Sequence, residues 1–89
     1  MLEQEITVSN RLGLHARASA KLVQLVSTFK ATVHLVSKGR EVNAQSIMGV
    51  MMLAAGMGTS LVVRAEGEDE QAAVAAVIDL FNRKFDEGQ

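Results

Sequence analysis

The chain has 89 residues, a formal net charge of −1, 48% hydrophobic and 21% charged residues, which fits one globular domain over residues 1–89. This charge balance argues against a nucleic-acid-binding protein, and no apolar run approaches the roughly 18 residues that a membrane-spanning helix needs. The absence of cysteine excludes disulfides and thiolate metal sites, and the acidic residues 1–5 are unlike a secretory signal, so we expect a cytoplasmic monomer.

The N-terminal third of the chain predicts a strand followed by a helix. Residues 3–9 alternate, with Ile6 and Val8 on one face and polar side chains on the other, which is typical of a half-buried strand. After a break at residues 10–13, apolar residues recur at helical spacing from Ala16 to about Phe29. The apolar face of this predicted helix comprises Ala18, Leu22, Val26 and Phe29.

The middle of the chain predicts a hairpin. Residues 31–36 alternate again, Ser37-Lys38-Gly39 is typical of a tight turn, and residues 40–43 predict a short return strand. If the odd positions of residues 31–35 lie on the face that the helices cover, His34 lies on the open, solvated face. We interpret His34 as a surface residue without a functional role.

The C-terminal half predicts two helices with a strand between them. Serine often caps helix N-termini, so Ser46 predicts a short helix over residues 47–53. A loop and then a strand over residues 60–65 are predicted after it. Apolar residues at spacings i, i+3, i+4, i+7 and i+11 predict the last helix: Val74, Val77, Ile78, Phe81 and Phe85. Acidic residues 68–70 lie around its start, where they suit the helix dipole, so we assign them no metal-binding role.

The order β-α-β-β-α-β-α predicts an α+β fold. We expect a four-stranded, mostly antiparallel sheet with three helices on one face, which is an open-faced β-sandwich.

The residues around His15 carry the chemistry. His15 stands where the first helix is predicted to begin, and Gly13 lets the chain turn sharply before it. The first N–H groups of a helix lack internal partners and attract anions, so the N–H groups of Ala16 and Arg17 can hold a phosphate. The Arg17 guanidinium adds a permanent cation. This pattern predicts a neutral imidazole that acts as a nucleophile and holds a phosphoryl group; a histidine that merely starts a helix is the alternative.

An autonomous hydrolase or metal enzyme is the least suitable interpretation. The chain has no cysteine, its other histidine is remote in sequence, and no pair of carboxylates has a useful spacing. We therefore predict no cofactor and no metal ion, and a carrier rather than an enzyme.

Three motifs resemble the histidine-containing phosphocarrier (HPr) family of the phosphoenolpyruvate-dependent phosphotransferase system. They are Gly13-Leu14-His15-Ala16-Arg17, residues 46–51 and residues 65–70, and the resemblance covers essentially the whole chain. It implies an open-faced β-sandwich. It also implies that Enzyme I, charged by phosphoenolpyruvate, phosphorylates Nδ1 of His15 and that a histidine of an EIIA-type protein receives the group. One departure is Ala18-Ser19 after Arg17, where the family usually has proline; we still expect a working site.

The resemblance also assigns roles to the short second helix. Many family members carry a regulatory phosphoserine at the position of Ser46, written by an HPr kinase/phosphorylase. Members use the positions of Ile47, Met48 and Met51 as an exposed partner-docking patch, and methionine suits a surface that must fit several partners. An alternative function is a regulatory binding module whose Ser46 phosphorylation state is read by other proteins.

The branch of the system is left open by the sequence. Residues 65–70 resemble the sugar-system carriers, whereas residues 80–82 and 85–87 resemble the nitrogen-related carriers.

Overall fold

The computed structural model describes residues 1–87, and its elements follow the predicted order. The strands and helices are β1 (Leu2–Thr7), α1 (Ala16–Val26), β2 (Thr32–Ser37), β3 (Arg40–Asn43), α2 (Ile47–Met52), β4 (Ser60–Glu66), α3 (Glu70–Asn82) and a final single turn over Lys84–Asp86. None of the helices within residues 1–87 is long and apolar enough to cross a membrane.

The four strands form one sheet in the order β1-β4-β2-β3, and all three strand pairs are antiparallel. Strand β4 lies inside the sheet, so that Leu61 pairs with Ile6 of β1 and Ala65 pairs with Val33 of β2. The β2–β3 hairpin turns through Lys38 and Gly39, which both have positive φ, as the tight turns that suit the strand twist require. The predicted α+β open-faced sandwich is confirmed.

The core lies between one face of the sheet and the helices. Alternate residues of β2 and β4 are buried, including Val33, Leu35, Leu61 and Val63, and each such side chain contributes about 1.5–3 kcal/mol. Helices α1 and α3 cover these strand residues with Leu22, Val26, Val77 and Phe81. As predicted, His34 lies on the other face, partly exposed.

Helix α1 is shorter than predicted, because it ends at Val26 instead of near Phe29. The hydroxyls of Ser27 and Thr28 donate to the carbonyls of Val23 and Leu25. Such side-chain bonds compete with further helical bonding, so the chain turns here. Phe29 still packs, half-buried, against the core.

Helix α3 also ends early, at Asn82, so the prediction that Phe85 belongs to this helix is wrong. Residues 84–86 form a turn in which Lys84, Phe85 and Asp86 have φ of 56°, 55° and 61°. Left-handed backbone costs such residues about 1–2 kcal/mol each. Burial of the Phe85 ring, which packs edge-on against Phe81 at a centroid distance of 4.8 Å, offsets part of that cost.

Candidate functional site

A loop tied to the segment after α2 presents His15. The Leu14 N–H donates to the Ala55 carbonyl at 3.0 Å, and Gly13 adopts φ +65° immediately before it. A Cβ on Gly13 would lie 2.4 Å from the Ala55 carbonyl oxygen, so only glycine fits. The Asn10 side-chain amide closes the loop by donating to the Gly13 carbonyl at 2.8 Å.

His15 is the N-cap residue of α1, and its ring forms the cap. The Arg17 N–H donates to His15 Nδ1 at 3.3 Å. The first helical bond runs from the Ser19 N–H to the His15 carbonyl at 2.9 Å, so the N–H groups of Ala16 and Arg17 precede the internal ladder. Nδ1 therefore lies beside the backbone N–H groups that the sequence analysis predicted to bind a phosphate.

Glu87 contacts the other ring nitrogen, and sequence reasoning missed this residue. Its Oε2 lies 2.5 Å from His15 Nε2. A carboxylate can only accept here, and an N–H can only donate to a bare ring nitrogen, so these two bonds assign the neutral ring a proton on Nε2 and a lone pair on Nδ1. The side chains of His15 and Glu87 are 27% and 14% exposed, which leaves the ring accessible at the surface.

The Glu87 carboxylate contacts two hydrogen-bond donors, Asn10 and His15. Partial burial raises the pKa of the Glu87 carboxyl, but hydrogen bonds from Asn10 and His15 and the charge of Lys21 outweigh it and bring this pKa below its ordinary value. The Asn10 bond runs from Nδ2 to Oε1 at 3.0 Å. Glu87 is therefore held ionised against the ring.

The left-handed turn at residues 84–86 brings Glu87 to the site. Phe85 anchors the turn in the core, and Lys21 of α1 donates from Nζ to the Phe85 carbonyl at 2.7 Å. Arg83 holds the turn from the other side, with Nε 3.0 Å from an Asp86 carboxylate oxygen. Residues 15 and 87 are 72 positions apart, and no glycine marks the left-handed turn, so the sequence carried no signal beyond the apolar Phe85.

The surface around His15 is open and carries charges of both signs. A cleft of about 720 Å³ beside the ring is lined by the cations Arg17 and Lys21 and by the carboxylates Asp86 and Glu87. Arg17 is exposed, and within residues 1–87 its guanidinium forms no hydrogen bond or ion pair. It is available to a bound anion. In the same part of the chain, no group of three or more histidine and carboxylate side chains is placed to hold a metal ion.

The departure at residues 18 and 19 is accommodated by packing. Ala18 is fully buried on the inner face of α1. Ser19 is also buried, and its hydroxyl donates to the Leu14 carbonyl at 3.2 Å, which adds a tie between the helix and the loop that precedes His15.

Ser46 and the patch of Ile47, Met48 and Met51 belong to α2, and Ala55 shortly after this helix bonds the His15 loop. Ser46 is exposed and caps α2, because its Oγ accepts from the Gly49 N–H at 3.0 Å. Val50 is buried, whereas the exposed side chains of the helix include Ile47, Met48 and Met51, with Met48 70% exposed. The other large hydrophobic residues that are exposed are Met1, Leu12, Met52 and Met57.

Comparison with known proteins finds relatives over nearly the whole chain. Residues 2–83 match the family model described as PTS HPr component phosphorylation site. The chain is 60% identical over 87 residues to the phosphocarrier protein HPr of Xylella fastidiosa (strain Temecula1), covering 98% of each chain. It is 42% identical to the phosphocarrier protein NPr of Shewanella violacea, covering 97% of this chain and 94% of that one. A crystal structure of HPr-C-His from Thermoanaerobacter tengcongensis is similar with a TM-score of 0.94 at 41% identity, covering 98% of both chains.

Proposed function

The chain belongs to the HPr family of phosphotransferase-system phosphocarriers, and we propose that His15 is the residue that carries its phosphoryl group. The observation that supports this assignment is the ring geometry at the start of α1. Nδ1 faces the amide end of the helix, whereas Nε2 contacts the Glu87 carboxylate. The nucleophilic lone pair is thus directed to the place that stabilises a phosphate.

The transfer step follows from this geometry. The Nδ1 lone pair forms a bond to phosphorus as the bond from phosphorus to its donor atom breaks, and that electron pair stays with the donor. The N–H of Arg17 then exchanges its ring contact for a phosphoryl oxygen, and the Ala16 N–H and the Arg17 guanidinium contact the others. Transfer onward reverses these events, so the chain acts as a covalent carrier between enzymes and needs no cofactor.

The donor and the acceptor belong to this proposal as well. Enzyme I, charged by phosphoenolpyruvate, supplies the group, and a histidine of an EIIA-type protein receives it. Both dock on the exposed patch of Ile47, Met48 and Met51, which lies on the segment bonded to the His15 loop. We assign the carrier to the cytoplasm as a monomeric single domain over residues 1–89, a location that its family membership supports. The higher identity to the relative named HPr than to the one named NPr favours the HPr type.

Ser46 is proposed as a regulatory phosphorylation site. Its exposed hydroxyl can be reached by an HPr kinase/phosphorylase. A phosphate there adds about two negative charges beside the docking patch, which repels an acidic partner. This regulation is additional to the carrier function.

Incubation with labelled phosphoenolpyruvate and Enzyme I tests the assignment. We expect acid-labile, base-stable label on the wild type, no label on His15→Ala, and full label on His34→Ala. His34 is the matched control because it is the only other histidine and lies on the open face of the sheet. Label that survives in His15→Ala would refute the assignment. Label that forms only on Ser46, with ATP and a kinase, would instead support the regulatory binding module.

A further inference from the structure

We propose that Glu87 is a positioning residue for His15: its carboxylate keeps the ring proton on Nε2 and thereby reserves Nδ1 for phosphorus. The proposal deepens the carrier function and rests on it. It is carried by the short contact of 2.5 Å between Glu87 Oε2 and His15 Nε2, together with the Arg17 N–H at Nδ1. Each contact is compatible with only one ring tautomer, and both require the same one.

Both directions of phosphoryl transfer need this tautomer. During acceptance, Nδ1 must offer a lone pair, so the proton of the neutral ring has to be on Nε2. During donation, the N–P bond breaks and its electron pair returns to Nδ1, which leaves a neutral imidazole if Nε2 still carries its proton. A bare Nε2 would require the departure of an imidazolate anion. One proton, held at one nitrogen, therefore serves both steps, and no net proton transfer is needed.

The contact with Glu87 also stabilises the phosphorylated form of the ring. A ring that carries phosphorus on Nδ1 and a proton on Nε2 has a formal positive charge in its π-system. The Glu87 carboxylate lies next to that charge, on the opposite side of the ring from the phosphoryl group. It can stabilise the charged ring without approaching the phosphoryl oxygens.

Hydrogen bonds and core packing hold both partners of the contact between His15 and Glu87 in place. The second carboxylate oxygen of Glu87 accepts from the buried Asn10 amide at 3.0 Å, and Asn10 also bonds the loop that presents His15. The preceding left-handed turn is fixed by the buried Phe85 ring and by Lys21. The same network therefore positions both partners of the contact.

Nitrogen NMR of labelled histidine, at a pH where the ring is neutral, distinguishes a protonated from a bare ring nitrogen. We expect wild-type His15 to show a protonated Nε2 and a bare Nδ1, and Glu87→Gln and Glu87→Ala to show a mixture of tautomers. The kcat for phosphorylation by Enzyme I should fall about tenfold in both variants, with KM unchanged. Glu5→Gln, which removes an equal charge from exposed β1, should match the wild type in both measurements.

Unchanged tautomers in both Glu87 variants would overturn the proposal, whatever the rate does, because a loss of rate alone would indicate an effect on docking or charge. A shifted tautomer with an unchanged rate would overturn it as well. Failure of the wild type to accept label from Enzyme I would refute the carrier assignment instead, while the NMR signals would still report on Glu87.

Discussion

Gly13→Ala should disturb the site and the fold together, and the glycines of this chain offer controls for each contribution. The new Cβ would lie 2.4 Å from the Ala55 carbonyl oxygen and 2.8 Å from Gly56 Cα, and both are backbone atoms that cannot rotate away. Alanine at φ +65° costs about 1–2 kcal/mol. Relief of the clash moves the Ala55 carbonyl and strains its bond with Leu14, for about 1–3 kcal/mol more. The sum is a loss of about 2–5 kcal/mol.

Two substitutions separate these contributions in urea denaturation. Gly39 has φ +79°, and a Cβ added there would meet no atom within 4 Å, so Gly39→Ala should lose only the backbone cost of about 1–2 kcal/mol. Gly56 has open space and no positive φ, so Gly56→Ala should stay within about 0.5 kcal/mol of the wild type. Equal losses for Gly13→Ala and Gly39→Ala would refute the clash.

A third substitution tests the effect on the site. Gly67 has φ +147°, and its Cβ would lie 2.8 Å from Ala31 Cα, so Gly67→Ala combines strain and clash far along the chain from His15. At a temperature where both variants are folded, Gly13→Ala should slow phosphoryl acceptance from Enzyme I at least about tenfold, because it displaces the loop that holds His15. Gly67→Ala should leave that rate unchanged. A similar loss of rate in Gly67→Ala would show that lowered stability, not displaced geometry, is the cause.

Three further predictions address charge and strain. Arg17→Glu should slow phosphoryl acceptance about a hundredfold in a kinetic assay with Enzyme I, yet change the free energy of unfolding by less than about 0.5 kcal/mol, because Arg17 is exposed; parallel losses would contradict its role. The pKa of Asp69 is lowered mainly by the Lys30 N–H and also by the Ala31 N–H, against a smaller opposing effect of burial. The ionised carboxylate therefore stabilises the fold at neutral pH, and this stabilisation is lost as the pH falls through the lowered pKa. Asp69→Asn should have a lower Tm than the wild type at neutral pH, and its Tm should fall less between about pH 5 and pH 2. An equal fall in Tm for the variant and the wild type over that range would contradict the role of Asp69. Ala54 has φ +50°, so Ala54→Gly should stabilise the protein by about 0.5 kcal/mol in urea denaturation, and a loss of stability would contradict the strain.

Local patterns predicted most of this fold. Alternation in β2 gave the buried Val33 and Leu35 and the outward His34, and Ser46 marked the start of α2 through its own hydroxyl. These features depend on neighbouring residues, so the sequence contains them directly. The ends of α1 and α3 were predicted less well, because serine, threonine and a buried Phe85 override helical periodicity there.

The candidate site divides in the same way. His15 and Arg17 are two positions apart at a helix start, and that arrangement can be read from the chain. Glu87 reaches the ring only because a non-glycine left-handed turn redirects the C-terminal segment, and the stability of that turn comes from the burial of Phe85 and the bond from Lys21. Tertiary packing compensates an unfavourable local conformation here, and no local pattern encodes such a compensation.

In the proposed function, the bond between Leu14 and Ala55 links the His15 ring to the proposed docking patch, and such a link follows from what a carrier must do. The carrier meets a donor and an acceptor in turn, and both must reach the same Nδ1 from the solvent side of α1. Two partners that approach one atom from one direction must contact overlapping surfaces, so the patch has to fit more than one shape. The flexible side chains of Met48 and Met51 suit that requirement, because they can repack against each partner at low cost. The hydrogen bond of 3.0 Å from Leu14 to Ala55 then helps to hold the ring in one place relative to the proposed patch.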